Sequence, residues 1–326
     1  MYKLQPLKTT APHLSLPLGG WIHRAVPRVL NSITAPSNRL AINDAKNELA
    51  HFVQQLETLA KKCAPPEGQS IPPILHFVYG LKKRETFPYY AKIAVLSAMY
   101  HNPNWRAIFH YRAEPNGPHW ESLRPYLTLN VVPDVTYFGI APFKHYAHKA
   151  DIIRLLALNY VGGAYLDIDT LTQKSFAPLQ NENFVMGVQP ALPGQPGGLC
   201  NAIMLGAPHA AFTQAWLKQY QYFRSRGTDW LWDYMSVKTP ALLARKNPNL
   251  ITVLKPEALF DPLWNTVDKA LFSDPPAVAS LPNLAFHLWN NMIGARLEQI
   301  SPDYIITSNS LYAQIARPVA KAFGEI

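Results

Sequence analysis

Asp167 and Asp169 are separated only by Ile168 and follow an apolar run, Ala164-Tyr165-Leu166, that a glycine pair introduces. Two carboxylates this close, at the end of a strand entering a core, are costly to desolvate unless a cation or solvent satisfies them. A divalent metal is the economical partner. If the strand continues, both carboxylates project to one side; if it bends, they converge on a shared ion. One helix earlier stand a second acid and base, Asp151 and Arg154, three residues apart and therefore on adjacent turns. An isolated Asp-X-Asp is most often a solvated turn, and Asp151 with Arg154 alone would be a plain helix ion pair. Together, beside an apolar strand, they point to a site for phosphate and metal.

The stretch that must position these groups is 144–171. Ile152, Ile153, Leu155, Leu156, Leu158 and Val161 fall near helical spacing and predict an amphipathic helix over 145–160. Gly162-Gly163 then supplies a stop that tolerates positive φ. Upstream, Ile74–Gly80 is a continuous apolar strand ending in Tyr79, as expected of a buried parallel strand that feeds a ligand crevice. A helix over 88–101 and a strand over 105–111 complete a β-α-β unit. Either 127–132 or 135–138 is the next strand, which places Asp167 and Asp169 at the carboxyl edge of the sheet. Beyond them the sequence predicts strands over 184–189 and 201–206 around a Gly/Pro-rich loop, Pro190–Gly198, that would cover ligand. Helices over 209–226 and 238–246, a strand over 251–254 and a Pro-rich C-terminal segment follow, with Phe286-His287-Leu288-Trp289 a polar-aromatic cluster. A helix over 40–62 precedes the first strand. The first 40 residues carry five prolines and read as an irregular arm, in which Trp21–Leu30 has the makings of a short basic amphipathic helix.

Composition narrows the partners. The chain has 326 residues, is 48% hydrophobic, and carries 30 Lys and Arg against 21 Asp and Glu, a net charge of +9. That balance suits an anionic ligand or an acidic membrane surface. The densest basic group, Lys82-Lys83-Arg84, is too short for a nucleic-acid block, so no nucleic-acid partner is expected. Two cysteines, Cys63 and Cys200, form no disulfide framework or zinc spacing, and with no Asn-X-Ser/Thr acceptor they predict a reducing, cytoplasmic setting compatible with peripheral membrane contact. No apolar run approaches the ~18 residues of a spanning helix.

The motifs, taken in order, resemble the Asp-X-Asp glycosyltransferases of GT-A fold grouped as family 32, with relatives among the α-1,4-galactosyltransferases, mannosyltransferases and clostridial glucosylating toxins. Ile71-Pro-Pro-Ile-Leu-His76-Phe-Val-Tyr79 is similar to that family's first strand, with Tyr79 in place of its Trp. Ala150-Asp151-Ile-Ile-Arg154 followed by Gly162-Gly163-Ala-Tyr165-Leu-Asp167-Ile-Asp169 resembles its central signature, with Ala150 in place of Ser. The segment from Asn201 to His209, Thr239-Pro240, and His287-Leu-Trp289 echo later elements, so that the resemblance spans about 70–292.

The resemblance implies an α/β fold of GT-A type, a Rossmann-like central sheet flanked by helices, over 70–326, preceded by an N-terminal irregular arm and helix over 1–69. It implies a retaining, metal-dependent transfer of a hexose from a nucleotide sugar to a glycan, glycolipid or protein. A uridine-diphosphate donor is favoured over guanosine-diphosphate mannose. Asp169, with Asp167 and His287, would hold Mn²⁺ or Mg²⁺; Asp151, Arg154 and Asp167 would contact the donor's sugar or diphosphate. Tyr79 would stack on the nucleobase, and Asn201 and Trp289 would line the donor. Two other readings are compatible with the residues: a module that binds a nucleotide sugar or glycan without turnover, and a haloacid dehalogenase-like phosphatase. The second suffers from Leu171 standing where that motif needs Thr or Val.

Overall fold

The protein is described by a computed structural model over residues 36–139, 141–192, 197–221, 223, 225 and 233–326. Residues 1–35 of the arm, including Trp21–Leu30, lie outside the described residues, as do 193–196 of the Gly/Pro-rich loop.

Helix α1 (Pro36–Ala60) leads into β1 (Ile74–Tyr79), α2 (Tyr89–His101), β2 (Arg106–Tyr111), α3 (Pro118–Leu123) and β3 (Thr128–Val131). A small pair, β4 (Tyr137–Phe138) and β5 (Ala141–Pro142), precedes α4 (Tyr146–Tyr160), β6 (Gly163–Leu166) and β7 (Thr170–Thr172). Next come β8 (Phe184–Gln189), β9 (Gly198–Gly206), α5 (Ala211–Tyr220), α6 (Thr239–Lys246) and β10 (Thr252–Leu254). The chain closes with α7 (Pro256–Leu259), α8 (Val267–Phe272), β11 (Ala285–His287), α9 (Asn290–Leu297), α10 (Pro302–Thr307) and α11 (Leu311–Ala322).

Seven strands form one mixed sheet in the order β10-β8-β9-β6-β1-β2-β3. All run parallel except β9, which is antiparallel to both β6 and β8. The expected α/β fold of GT-A type is therefore what forms. Of the two alternatives for the third strand, the segment within 127–132 joins this sheet, and Tyr137–Phe138 pairs with β5 instead.

Both faces of the sheet are covered, which is why its strands read as unbroken apolar runs. Leu75 and Phe77 of β1, with Ala107 and Phe109 of β2, pack into one core with α2; Ile74, Val78 and Ile108 pack into the other with α4. Helix α1 covers that second face through Phe52 and Leu56. Helix α4 was expected to be amphipathic, yet every residue from Ala150 to Asn159 is buried. The reason is that α1 and α5 close over the side that would otherwise meet water.

Three further expectations need correction. The strand predicted over 201–206 begins at Gly198, which the sequence had assigned to the end of the Gly/Pro-rich loop. The helix predicted over 209–226 spans only Ala211–Tyr220. The segment read as merely Pro-rich holds α7 to α11, and α11 packs on α2, with Lys92 of α2 ion-paired to Glu325. Pro256 and Pro302 start helices there, and Pro318 lies within one.

The second core contains two buried histidines, His76 of β1 and His110 of β2. His76 Nε2 donates to the Gly162 carbonyl at 2.8 Å, so His76 Nδ1 is left to accept from His110 Nε2 at 2.9 Å, and Asn130 Nδ2 donates to His110 Nδ1 at 2.9 Å. Every ring nitrogen is satisfied only while both imidazoles are neutral. Burial accordingly lowers His76 from its ordinary value of 6.5 to about 4, and lowers His110 well below its own. Because the folded value is the depressed one, the unfolded chain takes up protons first as pH falls. Stability is therefore expected to be intact above about pH 6.5 and to decline from there toward about pH 4. Urea midpoints measured across that window should show a shallower decline in His76→Gln than in the parent; equal slopes would contradict this role.

The chain His76 to Gly162 ties β1 to the turn that launches β6. Gly162 and Gly163 have φ of 72° and 112°, and a Cβ on Gly163 would stand 2.6 Å from the Ile74 carbonyl oxygen. Gly163→Ala combines a left-handed backbone with a clash against rigid backbone, for an expected cost of about 2 kcal/mol, read as a lowered urea midpoint.

Candidate active site

Strand β6 stops at Leu166, and the backbone turns through Asp167, Ile168 and Asp169 before β7. The strand therefore bends between the two carboxylates. The Asp167 N–H donates to the Ala202 carbonyl of β9 at 2.8 Å, and the Tyr165 hydroxyl donates to Asp167 Oδ1 at 2.5 Å. Asp169 is held by the far end of the chain. Its carbonyl accepts the Leu288 N–H at 2.7 Å and its Oδ2 accepts the Asn290 N–H at 2.8 Å. Antiparallel pairing of β11 with β7 sets His287 opposite Thr170, and His287 Nε2 lies 3.4 Å from Asp169 Oδ2. Trp289 makes the exit from β11 possible by adopting left-handed φ and ψ of 57° and 54° just before α9.

Asp167, Asp169 and His287 each offer a ligand atom within 4.8 Å of the other two. Oxygen and nitrogen ligands held at about 2.1 Å from an ion stand roughly 3–4 Å apart, so these three groups need only a small closure to share a divalent cation. All three side chains are partly open to the cavity, at 26%, 14% and 11% exposure. Burial raises the Asp167 carboxyl above the usual range against the pull of Arg154, with the Asp169 charge adding to the rise. For Asp169 burial also acts upward, but His287 and the Asn290 N–H outweigh it and hold the carboxyl low.

Asp151 and Arg154 are more enclosed, at 3% and 6% exposure. Arg154 lies 3.6 Å from Asp151, donates to the Asn201 carbonyl at 3.0 Å, and reaches Asp167 Oδ1 at 3.2 Å with its guanidinium over the Tyr165 ring. Burial opposes the charge on Arg154, yet Asp167, Tyr165 and Asp151 keep it above its ordinary value. Asp151 accepts from Asn201 Nδ2 at 2.7 Å and from the Tyr220 hydroxyl at 2.9 Å. Tyr220 is fully buried on α5 and was not foreseen, since an apolar helix position gives no sign that its hydroxyl reaches a carboxylate 69 residues away.

These groups border one cavity of about 850 Å³. Tyr79, Asp151, Arg154, Asp167, Asp169, Asn201, His287 and Trp289 all line it, so every residue singled out from sequence meets at one place. Tyr79 is half-buried, with its ring edge-on to Phe87 at 5.1 Å. Burial, helped by Glu85, pushes its hydroxyl up to about 12. The Trp289 ring packs on His287 at 4.1 Å and its Nε1 donates to the Pro262 carbonyl at 3.3 Å. Gln189, at the end of β8, and Pro190 and Leu192, from the start of the Gly/Pro-rich loop, contribute to the wall. So do Lys82, Tyr90 and Trp264, which sequence patterning had left unassigned because single aromatic or basic residues resemble ordinary core or surface positions.

Residues 90–185 match the family described as the glycosyltransferase sugar-binding region containing a DXD motif. Glucan organizing enzyme 1 of Cryptococcus neoformans var. grubii is 34% identical over 267 residues, which cover 77% of this chain and 71% of the relative. Among solved structures, the galactosyltransferase LgtC in complex with donor and acceptor sugar analogues is 13% identical, with a TM-score of 0.42 over 76% of this chain and 95% of its own. The PaToxG glycosyltransferase is 16% identical, with a TM-score of 0.39 over 63% and 79%.

Proposed function

Because the chain belongs to the glycosyltransferases whose sugar-binding region contains a DXD motif, we propose that its cavity binds a nucleotide sugar and transfers the hexose with retention of configuration. The convergence of Asp167, Asp169 and His287 with the Arg154 cation in a cavity of about 850 Å³ carries the proposal. That volume suits a nucleotide sugar. The donor's diphosphate is the group whose negative charge grows as the bond to the anomeric carbon breaks, and it needs cations where it departs. A Mn²⁺ or Mg²⁺ ion on Asp167, Asp169 and His287 would supply that charge as a Lewis acid.

The chain's own residues do the rest. Arg154, locked between Asp151 and Asp167, presents a fixed positive charge that loses no rotamer freedom when the donor arrives. Asn201 and Tyr220 hold the Asp151 carboxylate in place. Tyr79 offers a ring face at the carboxyl end of β1 for the nucleobase, and Trp289, packed on His287, forms part of the same wall. The acceptor hydroxyl attacks from the face the diphosphate leaves, passing its proton to the departing phosphate oxygen. A uridine-diphosphate hexose is the favoured donor, and the relative's name favours a polysaccharide-related acceptor, whether glycan or glycolipid. A cytoplasmic setting with peripheral membrane contact belongs to the same proposal and draws on the +9 charge. No helix of the described residues is long and apolar enough to cross a membrane.

The test is a panel of nucleotide sugars incubated with the purified protein and Mn²⁺, with released free nucleotide as the readout. One donor should be hydrolysed slowly without acceptor, and EDTA should stop it. Nucleotide sugar binding with no release under any condition would sink the transferase reading of this cavity.

A further inference from the structure

Beside the donor cavity lies a second recess of about 320 Å³ that shares Leu81, Lys82 and Tyr146 with it. Its remaining wall is basic: Arg112, Lys144, His145 and Lys149. Among the described residues, Asp134 is the carboxylate that pairs with the Arg and Lys side chains of this wall, holding both Arg112, at 3.3 Å, and Lys149. Lys82 instead sits 3.7 Å above the Tyr146 ring, so its ammonium is poised at the boundary between the two cavities without a carboxylate partner among the described residues. The sequence stretch Lys82-Lys83-Arg84, too short for nucleic acid, begins here.

The placement of these charges runs against the local field. Lys144 precedes and Lys149 occupies the first turn of the 15-residue α4, a turn that contains no acid, while His145 Nδ1 caps the helix by accepting the Ala147 N–H. That end of a helix carries the positive pole of its dipole, where acids are favoured and cations are not. Among the described residues, one carboxylate for Lys82, Arg112, Lys144 and Lys149, in a concave surface next to a transfer site, is the arrangement an anionic ligand completes.

We infer that the acceptor bears a phosphate group, seated in this basic recess while its hydroxyl enters the donor cavity past Lys82 and Tyr146. The inference rests on the transferase reading for the word acceptor; phosphate binding at the recess does not. The phosphate is a monoester on a soluble sugar or the headgroup phosphate of a lipid.

Lys144 is exposed, and its side chain has no part in the donor site, so Lys144→Glu tests the recess with Lys144→Arg as the conservative control. Titration calorimetry with glucose 6-phosphate against glucose reads the soluble source. Sedimentation with phosphatidylcholine vesicles containing or lacking phosphatidic acid reads the lipid source. The parent should bind at least one phosphate probe and not its uncharged counterpart; Lys144→Glu should weaken that binding at least tenfold, and Lys144→Arg should restore it. Donor hydrolysis should be equal in all three proteins. Binding of neither probe, or binding that Lys144→Glu leaves unchanged, overturns the recess. Loss of donor hydrolysis together with phosphate binding in Lys144→Glu overturns the acceptor assignment and gives the recess to the donor's diphosphate. Absence of donor hydrolysis in the parent, with phosphate binding intact, removes the transferase reading and leaves the anion site standing.

Discussion

Asp169→Asn should lower donor turnover by about a thousandfold, some 4 kcal/mol of transition-state stabilisation, with little change in the urea midpoint. The substitution is chosen for what it preserves. An asparagine oxygen still accepts the Asn290 N–H that the native Oδ2 receives at 2.8 Å, and the backbone carbonyl still accepts from Leu288. What disappears is the negative charge opposite His287, at the carboxylate of the pair whose pKa its surroundings lower. Asp169→Ala should be equally inactive but less stable, since it leaves the Asn290 N–H without its acceptor. Stopped assays of nucleotide release across a Mn²⁺ series measure both. An Asn variant with parental turnover and parental metal dependence would show that Asp169 only braces the C-terminal segment.

Arg154→Met should destabilise the fold by about 3–5 kcal/mol and abolish transfer, because it removes one partner of a buried charge network and strands the others. Arg154 is 6% exposed and Asp151 3%, so solvent cannot replace the lost cation. Asp167 would lose the charge that opposes its own upward shift and would take up a proton at higher pH. Arg154→Lys separates fold from chemistry. A lysine restores charge, but a single ammonium cannot lie over Tyr165 while meeting both the Asn201 carbonyl and Asp167 as the guanidinium does. Its thermal midpoint should recover most of the loss while turnover stays at least tenfold down. If Arg154→Met melts with the parent, the network is not a stabilising unit, and donor contact must be argued on other grounds.

The legible parts of this protein are those whose chemistry is local. Gly162-Gly163 followed by Asp167 and Asp169 announces itself because backbone freedom, an apolar strand and paired carboxylates lie within eight residues. The run Ile74–Tyr79 was legible for a similar reason: burial on both faces leaves an unbroken apolar signature. His76 was visible as part of that motif but not as the anchor of the Gly162 carbonyl, since its partner is 86 residues away. Tyr220 was invisible on the same grounds. The helices after residue 255 were obscured by prolines that serve as helix starts, and by Pro318, which α11 accommodates within its length. Helix α4 looked amphipathic because two of its buried polar residues, Asp151 and Arg154, face partners on other elements rather than water.

The attachment of Asp169 to Asn290 spans 121 residues, and this has a consequence for the chain as it is made. At a synthesis rate of ~5–20 residues per second, that interval takes roughly 6–24 s on the ribosome. During it, the nascent chain already contains the glycine turn, Asp167 and Asp169, but neither His287 nor the backbone N–H groups that hold Asp169 low. The half-made centre is two carboxylates facing each other without their imidazole. On the proposed reading, a form ending before β11 is expected to lack transfer activity, since His287 and the N–H groups that hold Asp169 arrive only with that strand and the helix after it.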